Sequence, residues 1–449
     1  MRTAALITFG CKANQYDSQA LREALEEIGY RIVPPTVRAD LYVVNTCTVT
    51  SMADAKARRA IRRIHRLSPE SAIFVTGCYA QKAKEELLRL EGVTKVFGNR
   101  EKFSFRELIR EAERVQSLQR EFVGDPDAPV DLGEFGLSVT SFDERTRALI
   151  KLQDGCSAFC TYCIVPYVRG RMRSRPLPEI VAEAERLAAR GFREVVITGV
   201  HLGAYGKDVR YRWTLADVLC AVHEVEGIQR IRLSSLEPMD VPQALIETIA
   251  GLPKCARHLH LPLQSGSTAV LRRMRRRYTQ EQFLALVEAV FEAMPDAGLT
   301  TDVMVGFPGE TEADFHETLR VVEKSRFHRL HVFRYSPREG TPAADYPDQV
   351  PASVATERSE RLRRLGERLE REYQESWLGA VLSVLIEDRR EGPNDELAGY
   401  SGNYLRVLVA DAGPEHVGTL QPVRIEAIVG GHWVRGRLAV SGAAPAFAS

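Results

Sequence analysis

The stretch GCSAFCTYCIVPYVRGRMRSRP at residues 155–176 comes shortly after an apolar run at Ala148–Leu152. Its cysteines, Cys156, Cys160 and Cys163, have the spacing C-x3-C-x2-C. Three thiolates on one short loop can hold three irons of a cubane cluster, because soft sulfur ligands suit iron–sulfur centres. The fourth iron would then lack a protein ligand and stay open to a substrate. The stretch therefore predicts a redox-active metal centre at the end of a strand.

Two other interpretations of this loop stay open. One is a zinc knuckle, which normally needs a fourth ligand close by. A histidine could supply that ligand, but none occurs between His65 and His201. The other is a plain structural loop. Spacing and strand-end position together favour the iron–sulfur cluster.

Around this loop, short apolar runs alternate with helical patterns, which indicates an α/β protein with parallel strands. Six such units suggest a partial or complete (β/α) barrel, whose chemistry would lie at the carboxyl ends of its strands. The predicted strands are Ala148–Leu152, Glu194–Gly199, Arg230–Ser234, His258–Pro262, Thr300–Val305 and Arg329–Tyr335.

A second set of cysteines occurs in the first 115 residues, which also alternate strand and helix. Cys11, Cys47 and Cys78 each follow an apolar run by one or two residues, in ITFGC, VVNTC and FVTGC. The carboxyl ends of parallel strands lie along one edge of a sheet, so the three thiols are expected to converge there. The alternative is three unrelated buried cysteines.

The chain end differs from the rest. Beyond Trp377 we predict a small all-β barrel from the runs 380–386, 404–409, 421–429 and 433–440. The predicted organisation is an N-terminal parallel-sheet domain (1–117), a linker (118–144), the barrel core (145–375), the small β-barrel (376–442) and a disordered tail (443–449).

Composition fits a soluble globular protein: 449 residues, 44% hydrophobic, 27% charged and a net charge of +1. We predict no signal peptide and no membrane span, and hence a cytosolic protein whose cysteines bind metal more readily than they form disulfides. Cys220 and Cys255 are expected to be buried structural residues.

The cysteine loop and the motifs GCKANQYDS, NTCTVT and TGCYAQ resemble the tRNA methylthiotransferase family of radical S-adenosylmethionine enzymes. The resemblance implies two [4Fe–4S] clusters. The cluster on Cys156, Cys160 and Cys163 would bind S-adenosylmethionine and split it to a 5′-deoxyadenosyl radical. The cluster on Cys11, Cys47 and Cys78 would carry the sulfur, which a first S-adenosylmethionine methylates before the radical removes hydrogen from C2 of an adenine.

Within that family, GCKANQ looks most like the MtaB-type branch, which acts on N6-threonylcarbamoyladenosine at tRNA position 37. The alternatives are the MiaB-type branch, acting on N6-isopentenyladenosine, and the RimO-type branch, acting on a ribosomal protein aspartate. The resemblance also implies an electron donor such as flavodoxin or ferredoxin, while the sulfur donor stays unknown. Two further hypotheses are a zinc-containing, non-catalytic RNA-binding protein and a radical enzyme with an unrelated substrate.

Cofactor contacts follow from the same resemblance, which covers the motifs SSLEP, LPLQSG and DVMVGFPGE. Side chains able to hydrogen-bond amino, carboxylate or ribose groups are Ser235, Glu237 and Gln264. Val305 and Gly306 would let the adenine approach the backbone. Ordinary helix-capping turns are the alternative interpretation. No proton-transferring residue stands out.

Two basic blocks are candidates for tRNA contact: Lys56, Arg58, Arg59, Arg62, Arg63 and Arg66, and Arg272, Arg273, Arg275, Arg276 and Arg277. Solvated helix faces would look the same. The terminal β-barrel resembles an RNA-binding TRAM domain, yet residues 377–449 hold six Arg and no Lys against eight Asp/Glu, so charge does not support that role.

Overall fold

The computed structural model describes residues 2–114, 120–128, 138–142, 145–208 and 213–439. The chain divides into two compact units. The first comprises Met1–Thr140, Gln153–Arg175 and Ser336–Ala344, and the second comprises Ser141–Leu152, Pro176–Tyr335 and Asp345–Ser449. Both predicted cysteine groups therefore belong to the first unit.

The N-terminal part is a parallel sheet with helices on both faces, as predicted, and it has six strands. Its strands are β1 (Thr3–Thr8), β2 (Arg31–Ile32), β3 (Leu41–Thr46), β4 (Ala72–Gly77), β5 (Val93–Phe97) and β6 (Glu121–Phe122), in the order β2-β1-β3-β4-β5-β6. Its helices are α1 (Lys12–Glu27), α2 (Ser51–Leu67), α3 (Cys78–Lys82), α4 (Lys84–Leu88) and α5 (Phe105–Arg114). Two apolar clusters fill the space between sheet and helices, so β3 is buried along its whole length.

The predicted cluster loop follows strand β7 (Ala148–Asp154) and precedes helix α6 (Val165–Arg169). The chain then returns as β8 (Arg173–Ser174), where Gln153 and Asp154 pair antiparallel with Ser174 and Arg173. This return closes the loop into a short, fixed turn of chain.

The second unit holds the core elements that follow. They are α7 (Leu177–Ala189), β9 (Glu194–Gly199), α8 (Leu215–His223), β10 (Arg230–Leu233), α9 (Gln243–Gly251), β11 (His258–His260), α10 (Thr268–Arg273), α11 (Gln280–Ala293), β12 (Gly298–Val305), α12 (Glu312–Lys324), β13 (Arg329–Arg334) and α13 (Ala352–Ser376). Strands β7, β9 and β10 are neighbours, β11, β12 and β13 form a second parallel set, and single parallel bridges such as Ser235 to His260 connect the two sets. The six strands confirm the predicted partial (β/α) barrel.

The C-terminal strands form the closed barrel that the sequence predicts. They are β14 (Val381–Glu391), β15 (Glu396–Ser401), β16 (Arg406–Val409), β17 (Leu420–Ile428) and β18 (Trp433–Leu438), in the order β14-β15-β16-β18-β17. Strand β15 was not predicted. The predicted tail (443–449) and parts of the predicted linker (118–119, 129–137, 143–144) lie outside the described residues.

A buried ion network joins this terminal barrel to the core within the second unit. The carboxylate of Glu194 accepts from Arg232 Nε at 2.8 Å and from Arg230 Nη1 at 3.2 Å. Burial would raise the pKa of Glu194, but the two guanidinium groups lower it to about 2. The same arginines donate to main-chain carbonyls of the terminal barrel, those of Ser383, Tyr400, Ser401 and Gly402.

In the part of the chain that the structure describes, no helix combines the length and apolar character needed to cross a bilayer.

Candidate active site

Cys11, Cys47 and Cys78, here called the strand-end cysteines, follow β1, β3 and β4, which are adjacent in the sheet. Convergence is visible at Gly10, where an added Cβ would lie 2.7 Å from the Cβ and 2.9 Å from the Sγ of Cys47. Gly10 also has a φ of +102°, so only glycine fits without strain. Burial raises the pKa of the Cys47 thiol to about 11, and the nearby thiols of Cys78 and Cys11 add to that rise. The predicted convergence is therefore present.

Cys78 is held by groups from elsewhere in the first unit. It opens α3 after Gly77, whose φ is +99° and whose added Cβ would lie 2.3 Å from the Thr46 carbonyl oxygen. Its side chain packs against Ile164 and Val168. The Asn99 amide Nδ2 donates to Cys78 Sγ at 3.8 Å and to the Val168 carbonyl at 2.7 Å. The sulfur is thus fixed in position rather than free to rotate.

Cys156, Cys160 and Cys163, here called the loop cysteines, lie on the turn between β7 and α6. The Cys156 N–H donates to the Gly170 carbonyl and the Cys163 N–H to the Cys160 carbonyl, each at 3.0 Å. Gly155 has a φ of +72°, and an added Cβ there would lie 2.1 Å from the Arg171 carbonyl oxygen. These contacts hold the backbone in a tight turn, so that the three thiols lie on one short loop.

The donor set fits iron–sulfur chemistry. All eight cysteines are free thiols. Within the described ranges, no three His, Cys, Asp or Glu side chains are grouped so as to hold a single metal ion. A four-iron cubane has no such requirement, because each thiolate binds a different iron. Each group supplies three soft thiolates, the ligand type of a cubane with one iron left open, and the ligand role of these cysteines stays a prediction.

Two buried arginines beside these cysteines were not identified from the sequence. Arg338 donates to Asp54 Oδ2 at 2.6 Å and to Thr48 Oγ1 at 2.7 Å, which fixes the chain just after Cys47. Arg169 donates to Asp154 Oδ1 at 2.6 Å and is 2% exposed. In the sequence Arg169 lies within the cysteine-loop stretch, but Arg338 lies 28 residues beyond the DVMVGFPGE motif, and arginines most often lie in solvent.

The predicted cofactor residues all lie in the second unit, after β10, β11 and β12. Gln264 has a φ of +59°, is buried, and its Oε1 accepts no hydrogen bond from the described residues. Such an acceptor is available to a ligand donor. Ser235 is exposed, and Glu237 is paired with Arg276. These placements leave the predicted contacts as predictions.

Val305 is the last residue of β12 and Gly306 follows it directly, as the motif predicts. Val305 is fully buried. Gly306 has a φ of +74°, and an added Cβ would lie 2.7 Å from the Cβ of Ala355. Close packing against α13 is thus one physical reason for glycine here, and an approach of adenine to this backbone stays a prediction.

The two basic blocks differ in exposure. On α2 the exposed cations are Lys56, Arg59, Arg62, Arg63 and Arg66, while Arg58 is held by Tyr79 Oη at 2.6 Å and by Glu86 at 3.2 Å. In the second block Arg276 is buried in its ion pair with Glu237. Arg276 is therefore unavailable to phosphate, contrary to the sequence-based expectation.

The predictions for the two remaining cysteines had different outcomes. Cys255 is buried, as predicted. Cys220 is exposed, so the prediction that it is a core residue was wrong. It lies on the solvent-facing side of α8, and the mostly apolar sequence of this helix did not indicate that exposure.

Comparisons with known proteins agree with this geometry. Residues 150–322 match the Radical SAM superfamily, and residues 3–98 match the Uncharacterized protein family UPF0004. The radical S-adenosylmethionine methyltransferase TsrM from Kitasatospora setae has a similar fold, with a TM-score of 0.57 and 17% identity, covering 88% of this chain and 80% of that one. The fold and the loop cysteines thus define a radical SAM enzyme, a class that uses S-adenosylmethionine and a [4Fe–4S] cluster.

Relatives of higher sequence identity identify the family within this class. The threonylcarbamoyladenosine tRNA methylthiotransferase MtaB of Bacillus subtilis is 40% identical, covering 91% of this chain and 90% of its own length. The tRNA-2-methylthio-N(6)-dimethylallyladenosine synthase of Acetivibrio thermocellus is 37% identical, covering 94% and 88%. The chain belongs to the tRNA methylthiotransferase family of radical SAM enzymes.

Proposed function

We propose that this protein adds a methylthio group to C2 of N6-threonylcarbamoyladenosine at position 37 of tRNA. The observation that carries the proposal is the pairing of two three-cysteine groups in one compact unit, since the reaction needs both a radical source and a sulfur carrier. The choice of substrate rests on the 40% identity to MtaB of Bacillus subtilis and of Thermotoga maritima.

Each cysteine group holds a different cluster. The loop cysteines hold the [4Fe–4S] cluster of the radical SAM reaction, and the strand-end cysteines hold the second cluster. When bound, the first cluster and S-adenosylmethionine supply a 5′-deoxyadenosyl radical. The chain's own residues hold these groups: Gly155 and Gly170 shape the loop, while burial of Cys47 and Cys78 shields two of the three thiols of the second centre from bulk water.

The cofactor's polar groups are assigned to Ser235, Glu237 and Gln264. The unpartnered Oε1 of Gln264 supports this assignment, because a buried acceptor without a donor is costly unless a ligand satisfies it. Val305 and Gly306 offer main-chain atoms to the adenine.

The tRNA is assigned to the exposed cations of α2. Three of them, Lys56, Arg59 and Arg63, line a groove of about 660 Å³ that Ile7, Phe9 and Tyr42 also line. Phosphates suit these cations, and a base or ribose suits the apolar and aromatic side chains. We also propose a cytoplasmic location and a flavodoxin or ferredoxin as electron donor.

A second substrate, N6-isopentenyladenosine, is favoured by one observation: the dimethylallyladenosine synthases are 36–39% identical over most of the chain. Mass spectrometry of tRNA nucleosides from a deletion strain separates the two. Loss of 2-methylthio-N6-threonylcarbamoyladenosine with retention of 2-methylthio-N6-isopentenyladenosine supports the proposal. The reverse pattern would replace the substrate while leaving the chemistry unchanged.

A further inference from the structure

Arg169 is the last residue of α6 and lies six positions beyond Cys163. Its guanidinium reaches three acceptors: Asp154 Oδ1 at 2.6 Å through Nη1, and Asn14 Oδ1 at 2.5 Å and Asp17 Oδ2 at 3.2 Å through Nη2. Asn14 and Asp17 belong to α1, which starts directly after Cys11. The side chain therefore ties the loop between β7 and β8 to the helix that carries a strand-end cysteine.

A second buried cation completes the arrangement. Lys102 Nζ donates to Asp17 Oδ2 and to Asn99 Oδ1, each at 2.9 Å. All four charged groups, Asp17, Lys102, Asp154 and Arg169, are at most 4% exposed. Four buried charges cost free energy through lost hydration, and mutual pairing offsets that cost. Apolar residues would pack there at lower cost, so such a network in the first unit suggests a role beyond folding.

The network lies within electrostatic reach of all the strand-end cysteines. Although burial opposes its charge, the pKa of Arg169 is raised well above the ordinary value by Asp154, Cys78, Asp17 and Cys11. Arg169 also favours the ionised form of Cys47. On the other side, the carbonyl of the adjacent Gly170 accepts the N–H of Cys156. One arginine thus serves both cysteine groups.

We propose that Arg169 is a positioning residue shared by the two cysteine groups, which anchors the loop through its neighbour Gly170 and supplies a fixed cation beside the strand-end cysteines. The inference rests on the proposed assignment of a [4Fe–4S] cluster to those cysteines. A planar, permanently charged fork suits three fixed acceptors better than a lysine ammonium does. A cation beside a thiolate-bound cluster stabilises its more negative, reduced state and raises its reduction potential.

The sign of the effect can be tested on the strand-end cluster alone. Full-length protein with Cys156, Cys160 and Cys163 all replaced by Ala carries one possible cluster, and its potential is measured by a redox titration followed by electron paramagnetic resonance. Arg169→Gln is expected to lower the ratio of reduced to oxidised cluster at the parent midpoint potential roughly tenfold, which is about 59 mV for one electron. Asp17→Asn removes a negative charge from the same place and is expected to shift the potential in the opposite direction.

Opposite shifts distinguish an electrostatic role from a structural one, because misfolding would not change sign between two variants. Asp17→Asn also keeps the test valid if Arg169→Gln unfolds the chain. Arg169→Lys keeps the charge. Its ratio of reduced to oxidised cluster at the parent midpoint potential is expected to lie within about twofold of the parent value. The matched control is Arg232→Gln, an equally buried ion-paired arginine in the second unit, which is expected to lower the melting temperature without moving the potential.

Two outcomes would overturn the inference, and they are distinguishable. Unchanged potentials in both Arg169→Gln and Asp17→Asn, with iron bound, would reject the role of Arg169 and leave the proposed function standing. No iron in the triple-alanine parent would reject the cluster assignment itself, and the inference with it.

Discussion

The two cysteine groups have the same number of thiols but are built in opposite ways. The loop cysteines span eight residues, and hydrogen bonds within the β7–β8 return hold them. The strand-end cysteines span 68 residues, from Cys11 to Cys78, and come together only when β1, β3 and β4 pair. The loop cysteines are brought together by a short stretch of sequence, whereas the strand-end cysteines are brought together only by the folded sheet.

The two cysteine groups are therefore sensitive to different kinds of change. A local loop depends on a few main-chain contacts, such as that of Gly155. A site made of strand ends depends on sheet register, since a slip of one residue would turn each side chain to the opposite face. Substitutions at each cysteine group and removal of the metal test this contrast.

Cys160→Ala removes the buried thiol of the loop cysteines. We expect cleavage of S-adenosylmethionine to 5′-deoxyadenosine to fall on the order of a thousandfold or more, since the cluster that reduces the cofactor loses one of its three thiolate ligands. Methylation of sulfur at the strand-end cysteines is expected to continue. Chromatography of 5′-deoxyadenosine measures the first, and retained cleavage would count heavily against the assignment.

Cys47→Ala is expected to do the reverse. It removes one strand-end ligand, so methylthiolated tRNA should fall by more than the roughly 10–100-fold typical of an outer-shell change, while 5′-deoxyadenosine still forms. Product is measured by nucleoside mass spectrometry. If cleavage and product fell in parallel, the division of labour between the two groups would be wrong.

Gly10→Ala tests the sheet-built site without touching a ligand. Its φ of +102° and the Cys47 side chain 2.7 Å from an added Cβ predict local strain of about 1–3 kcal/mol and a loss of iron from the strand-end cysteines. Gly29→Ala is the matched control, because Gly29 has a φ of +91° but nothing within 4 Å of an added Cβ. Iron analysis should show a deficit in the first variant only.

The smallest expected difference is in the alkylation rates of the strand-end cysteines after iron is removed. After chelation, Cys11 is exposed and should be alkylated early, with exposed Cys220 as an internal reference. Cys47 is buried with a pKa of about 11, so its thiolate fraction and alkylation rate should rise about tenfold per pH unit between pH 8 and 10. Peptide mass spectrometry follows each site. Rapid, pH-independent labelling of Cys47 would contradict the buried geometry.

The sequence predicted what depends on pattern. Apolar runs followed by cysteine indicated both groups, and alternation indicated the sheet, the partial barrel and the terminal barrel. It could not reveal Arg169, because Asn14 and Asp17 lie some 150 positions away and only the folded chain brings them to it. Arg276 was misjudged for a similar reason: its partner Glu237 is 39 positions distant.

Strand β15 and Cys220 were misjudged for local reasons. Strand β15 (Glu396–Ser401) contains Gly399, an uncommon strand residue that is required because an added Cβ would lie 2.1 Å from the Leu385 carbonyl oxygen. Cys220 lies in a helix whose apolar residues outnumber its polar ones, which obscured its solvent-facing side.

The attachment of the terminal barrel has a consequence for protein engineering. Arg230 and Arg232 grip it almost entirely through main-chain oxygens, at Ser383, Tyr400, Ser401 and Gly402. Hydrogen bonds to peptide carbonyls depend on the path of the backbone and not on the identity of the side chains. Barrels of different sequence should therefore be interchangeable on this core, provided that the graft preserves the backbone trace from 383 to 402 and the side chains of Glu387, Tyr400 and Tyr404, which contact core arginines.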